Sequence, residues 1–238
     1  MDCKFHLSCR CVSDLAASSA AGPRSEATRA PSRLRGAYTA LAPLYDRLVP
    51  LISSRARATG HAWLAVRDGE RVLDVGTGTG LSLAPLVAVN PRGWTAGVDA
   101  TPAMLRRARA RLAETPAARY TLRRAEARAL PYAANTFDAV YSSYLIDVLP
   151  RPRIRPALVE MRRVLRDDGR LVVVCLAPPT RLIERLWARL ARLVPPLFGG
   201  ARPVEVRPAL QQAGFSVQRS TARTQVGLRS AIVRATPR

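Results

Sequence analysis

Val72-Leu73-Asp74-Val75-Gly76-Thr77-Gly78-Thr79-Gly80 is a short apolar run that passes straight into three alternating glycines. The run predicts a buried strand, Arg71–Val75. The glycines predict a sharp turn in which backbone can approach a ligand closely before a helix begins. A second predicted strand, Trp94–Val98, leads to Asp99, whose carboxylate can accept hydrogen bonds from both hydroxyls of a ribose. A glycine loop with a downstream acid also occurs in dinucleotide sites, but two details separate the cases. Counted from Gly76, a G-x-G-x-x-G fingerprint needs glycine where Leu81 stands; counted from Gly78, it needs one where Leu83 stands. Asp74 also sets a negative charge beside the place where a dinucleotide would lay its pyrophosphate. An acid there suits a ligand carrying an ammonium or sulfonium group.

Outward from this stretch, helical and extended patterns alternate. Helices are predicted over Leu81–Val89, over Pro102–Glu114 with Thr101 as N-cap, and over Ile154–Leu165, closed by Asp167-Asp168-Gly169. Strands are predicted over Tyr120–Arg124, Phe137–Ser143 and Arg170–Leu176. Phe215–Thr221 and Val226–Val233 are spaced to form a hairpin. The alternation predicts an α/β fold: a Rossmann-like, seven-stranded, mostly parallel sheet with helices on both faces and a C-terminal antiparallel hairpin. Residues 1–35, rich in Ala, Ser, Arg and Pro, read as a disordered extension before a domain over 36–238. Within that domain, 36–68 reads as a helical cap broken by Pro43 and Pro50, and 178–213 as a second helical region.

The formal charge is +21, and Lys4 is the single lysine among 38 basic residues. Such an excess attracts anionic lipid or nucleic acid. No apolar run approaches the roughly 20 residues that span a bilayer, so a cytoplasmic chain is expected, peripheral on a membrane at most. Cys3, Cys9, Cys11 and Cys175 make no disulfide framework. Cys9-x-Cys11 with His6 lacks the four ligands of a zinc site, so no metal is expected.

Five segments occur in an order that resembles the class I S-adenosylmethionine-dependent methyltransferases. They are Val72–Gly80, Gly97-Val98-Asp99, Ala125–Tyr132, Asn135-Thr136-Phe137-Asp138 and Val164–Arg170. The resemblance is nearest to the ubiquinone/menaquinone C-methyltransferase group. It runs well from Tyr38 to Leu176 and only in outline beyond. It implies S-adenosyl-L-methionine as cofactor. Asp74, Gly76, Gly78, Thr79, Gly80 and Ser143 would then surround its methionyl part. Asp99, followed by Ala100, would hold the ribose, and Met104, Glu126 and Ala127 the adenine. Tyr45, with Tyr38 behind it, would fold over the bound cofactor as in the family's opening segment.

Methyl transfer to carbon or oxygen also needs a proton removed. Tyr141, Tyr144, Asp147 and His61 are the candidate bases, His61 reading as a surface residue; none of them is singled out. Leu145-Ile146-Asp147-Val148 stands where the quinone enzymes commonly carry an Arg-Asn pair, which weakens the quinone assignment specifically. The 178–213 region falls where relatives place acceptor-binding elements. Within it, 180–194 sets Leu182, Ile183, Leu186, Trp187, Leu190 and Leu193 against Arg181, Arg185, Arg189 and Arg192. That pattern fits either an anionic membrane interface or a lid packed on the domain. The expected acceptor is a hydrophobic small molecule or lipid: an isoprenoid quinone, a phospholipid or a secondary metabolite. The alternative is RNA. Against nucleic acid, Ser142-Ser143-Tyr144-Leu145 lacks the Asn/Asp-Pro-Pro-aromatic box of amino-methylating relatives, and the chain has no Pro-Cys pair. The oligomeric state is left open.

Overall fold

The computed structural model describes residues 52–113, 115, 119–180, 182, 184 and 201–238. The expectations for 1–35, for Tyr38 and Tyr45, and for most of 180–194 lie outside these residues. Helix α1 spans 52–64. Then come β1 (Arg71–Val75), α2 (Leu83–Ala88), β2 (Trp94–Asp99), α3 (Pro102–Ala113), β3 (Tyr120–Arg124), β4 (Phe137–Ser143), α4 (Arg151–Val164) and β5 (Leu165–Leu176). The chain closes with α5 (Val206–Gln212), β6 (Phe215–Gln225) and β7 (Leu228–Pro237).

The seven strands form one sheet in the order β3-β2-β1-β4-β5-β7-β6. β1 lies at its middle, parallel to β2 on one side and β4 on the other, with Asp74 level with Gly97 and Tyr141. β7 runs antiparallel to both β5 and β6. Alternate residues of the central strands feed two opposite cores, as period-2 alternation requires. Leu73, Val75, Val140, Leu171 and Val173 pack with Leu158 and Met161 of α4 and Leu210 of α5. Val72, Tyr141, Val172 and Val174 pack with Ala56, Trp63 and Leu64 of α1 and Leu86 of α2. Helices therefore cover both faces, and the parallel strands β1 to β5 all end at one edge of the molecule.

Three element boundaries differ from expectation for identifiable reasons. β5 begins at Leu165, five residues before the expected Arg170, because Leu165 pairs with Phe137 before the acidic turn and Arg170 resumes with Ala139 after it. Asp167-Asp168-Gly169 is thus a bulge inside the strand. α4 starts at Arg151, three residues before Ile154, since Pro152 falls in the first turn where its missing N–H costs no bond. Val226 does not open the last strand. Gln225 pairs directly with Leu228, leaving Val226 and Gly227 as a two-residue turn with φ of +49° and +74°. Two positive φ angles match the right-handed twist of the flanking strands.

Candidate active site

The edge where β1 and β2 end is built from the quoted stretch upward. The amides of Gly76 and Thr77 both donate to the Val98 carbonyl, at 2.9 and 3.0 Å, which carries the loop sideways over β2. Gly76, Gly78 and Gly80 have φ of +74°, +55° and +81°. At Gly80 the absent side chain also matters, because a Cβ would come within 3.2 Å of Ala108 on α3. Arg111 of α3 donates to the Thr79 carbonyl at 2.9 Å and holds the loop from that side.

Asp99 ties the two strand ends together. One carboxylate oxygen accepts the Gly78 amide at 2.9 Å and the other the Thr101 amide at 2.8 Å. Burial raises its pKa while those amides pull it down. The Asp99 carbonyl accepts the amide of Ala125, which brings the Glu126-Ala127 segment to the same edge. Glu126 itself pairs with Arg128 at 2.7 Å. Met104 is half-buried on α3, and Ala100 is exposed beside Asp99. Ser143, at the end of β4, shares a 2.9 Å hydrogen bond with Ser82 at the start of α2.

Asp74 is wholly buried. Its Oδ2 accepts the Thr77 hydroxyl at 2.8 Å, and its Oδ1 has no partner. Burial, reinforced by the charge of Asp99, pushes its carboxyl up to about 7. The structure thus brings Asp74, the glycine loop, Asp99, Ala100, Ala127 and Ser143 to one edge.

The candidate bases divide sharply. Tyr144 has φ of +55°, bonds Ser230 at 2.9 Å and is pushed up to about 12 by burial, which suits it poorly for taking a proton at neutral pH. Tyr141 is completely buried and raised further still. Asp147, also fully buried, accepts the Leu176 amide at 3.0 Å through Oδ2 and leaves Oδ1 without a partner; burial raises it to about 7. His61 corrects the sequence reading. It is no surface residue: its ring packs 4.9 Å from that of Tyr141 and its Nε2 is buried. The same face of α1 carries Arg57, only 8% exposed, whose guanidinium lies 5.7 Å from the Tyr144 ring. The sequence reading missed Arg57. The signal was there in Ser53, Arg57, Gly60 and His61, spaced to share one helix face with small residues between charges.

A seven-stranded α/β sheet thus carries the glycine loop and the acid at its central strand ends. The family described as "Methyltransferase domain" matches residues 72–169. The chain belongs to the class I S-adenosylmethionine-dependent methyltransferases, and S-adenosyl-L-methionine is its cofactor. Within that class it is similar to the ubiquinone/menaquinone biosynthesis C-methyltransferase of Syntrophotalea carbinolica, with 37% identity over 172 residues, 70% of this chain and 71% of the relative. It is also similar to a phosphatidylethanolamine N-methyltransferase of Cereibacter sphaeroides, 38% identical over 132 residues, 55% of this chain and 62% of the relative. Among solved structures, magnesium protoporphyrin IX methyltransferase from Synechocystis PCC 6803 shares the fold, with a TM-score of 0.69 at 18% identity. The match covers 87% of this chain and 99% of that one. Among the described residues, no helix is long and apolar enough to cross a membrane.

Proposed function

We propose that the chain methylates a hydrophobic small molecule or lipid, with the cofactor seated along the loop from Gly76 to Gly80. The geometry of Asp99 carries this reading. Its two oxygens each accept one backbone amide, which fixes the carboxylate and leaves further lone pairs for the two ribose hydroxyls. Ala100 borders the ribose; Met104, Glu126 and Ala127 flank the adenine. Thr79 and Ser143 lie along the methionyl chain. The residues fit the group: Asp74 keeps a buried, unpartnered oxygen where a ligand ammonium is needed. Bound there, the cofactor supplies an electrophilic methyl group. What the chain does is align the acceptor and exclude water. Proton removal from a carbon or oxygen acceptor falls to Asp147, whose free Oδ1 and pKa near 7 suit that task.

The relatives named for quinone and phosphatidylethanolamine methylation support an apolar acceptor. Leu182 is 83% exposed while Glu184 is buried, accepting the Thr180 amide and the Thr224 hydroxyl. The alternation of apolar residues with Arg181, Arg185, Arg189 and Arg192 over 180–194 supports contact with an anionic membrane surface. Retention on anionic vesicles at high salt, lost in Trp187→Ala, is the expected behaviour; complete elution by salt argues against it.

The net charge keeps RNA as the second reading. Transfer of labelled methyl from S-adenosylmethionine by the full chain, offered a cell lipid extract and total RNA in parallel, separates the two. Label in the organic phase supports the lipid reading; label in RNA alone overturns it.

A further inference from the structure

Stretches far apart in the chain are laced together just past the ends of β4 and β5. The Leu176 amide, at the end of β5, donates to Asp147 Oδ2 at 3.0 Å. The Val204 amide donates to the Leu176 carbonyl at 2.9 Å, and the Arg202 amide to the Asp147 carbonyl at 3.1 Å. Pro203 lies between those donors and has no N–H to leave unsatisfied. The Arg202 guanidinium then donates to the Leu149 carbonyl. Arg202 therefore grips the 147–149 segment through its backbone and again through its side chain.

The same side chain shapes the electrostatics around Asp147. That carboxyl is wholly buried, so its removal from water opposes ionisation. The titratable and charged side chains that act on it or feel its charge are Arg202, the Tyr144 phenol and the Cys175 thiol. Burial pushes Tyr144 up to about 12 and raises the Cys175 thiol as well, so both are uncharged at pH 7. That leaves Arg202 as the charge that draws the Asp147 carboxyl down against burial. A guanidinium can serve both ends because its several N–H groups share one delocalised charge. One N–H satisfies Leu149 while the charge still acts on Asp147.

We propose that Arg202 is a positioning residue for methyl transfer: it pins the segment that carries Asp147 and supplies the positive charge that keeps the carboxylate available as the base. This rests on the reading of Asp147 as the base above. Asp147 Oδ1, buried and without a partner, is the atom left to take the acceptor's proton. Arg202 takes no proton itself and acts through Asp147.

Titration of the Asp147 carboxyl in the full chain tests it, read by carbon-13 NMR and assigned by the signal lost in Asp147→Asn. Arg202→Gln should raise the midpoint by about one pH unit or more, the scale of losing a neighbouring opposite charge. Arg202→Lys restores the charge and should return most of that shift. Transfer of labelled methyl to a cell lipid extract gives a second readout. With the base titrating higher, Arg202→Gln should be about fivefold slower at pH 7 and recover at about pH 9. A lowered Tm with an unshifted midpoint, or a rate loss equal at both pH values, overturns the assignment and leaves Arg202 purely structural. The wild type decides the matter even where the variants fail to fold. Its midpoint should lie near 7, and a midpoint above about 9, as for a carboxyl buried with no cation nearby, also overturns the assignment. An unchanged transfer rate in Asp147→Asn instead sinks the base reading, and the proposal with it, even where the midpoint shifts.

Discussion

Asp99 accepts the Gly78 amide at 2.9 Å, so the end of β2 and the middle of the glycine loop are joined through one carboxylate. Asp99→Ala removes both that brace and the proposed ribose acceptor. Calorimetry should show cofactor affinity falling by about 100-fold or more, the scale of two charge-assisted hydrogen bonds. Unchanged affinity refutes the ribose role.

Gly80→Ala should be harmful twice over. Alanine at φ of +81° is strained, and its Cβ meets the Ala108 backbone and side chain at 3.2 Å. The combined cost is about 1–3 kcal/mol, visible as a lower Tm and weaker cofactor binding. A variant as stable as the wild type would mean that the loop relaxes freely.

Asp147→Asn separates stability from catalysis. The folded pKa near 7 lies above the unfolded value of about 3.9. The fold therefore favours the protonated acid, and stability is lost as pH rises between those values, then stays level. Asparagine removes that loss while its oxygen can still accept the Leu176 amide. Denaturation should find the variant more stable than wild type at pH 8 by about 1–3 kcal/mol, with the difference vanishing near pH 4. For a carbon or oxygen acceptor, kcat should fall as stability rises. A variant that keeps full kcat on such an acceptor is not missing its base.

Cofactor binding should weaken as pH falls through 7, because Asp74 must be ionised to hold an ammonium and burial sets its pKa there. Asp74→Asn should bind weakly at every pH and lose that dependence. If it keeps the wild-type pH profile, another group is titrating.

Val226→Asn should stabilise the chain. Val226 is 60% exposed, so its side chain contributes little packing, and its φ of +49° is one that asparagine tolerates and valine does not. A gain of about 1 kcal/mol is expected from chemical denaturation; a loss would show that the valine packs in solution.

The order of strands and helices, the glycine loop and the placement of Asp74 and Asp99 at adjacent strand ends could be read from the sequence alone. They depend on local chemistry: apolar runs, turn-forming glycines and a fixed spacing along the chain. Val226 was misread because a β-branched residue resembles strand, and only pairing of Gln225 with Leu228 forces it into the turn. The start of β5 was misread because an acidic turn looks like a boundary, whereas pairing with β4 on both sides makes it a bulge. The burial of Arg57 and of the His61 Nε2 was invisible. Helical spacing shows that they share a face, but not that this face lies against Tyr141 of β4 and Tyr144 just past its end. Burial, and the charges it leaves without partners, comes from contacts between distant segments, and only the folded chain brings those segments together.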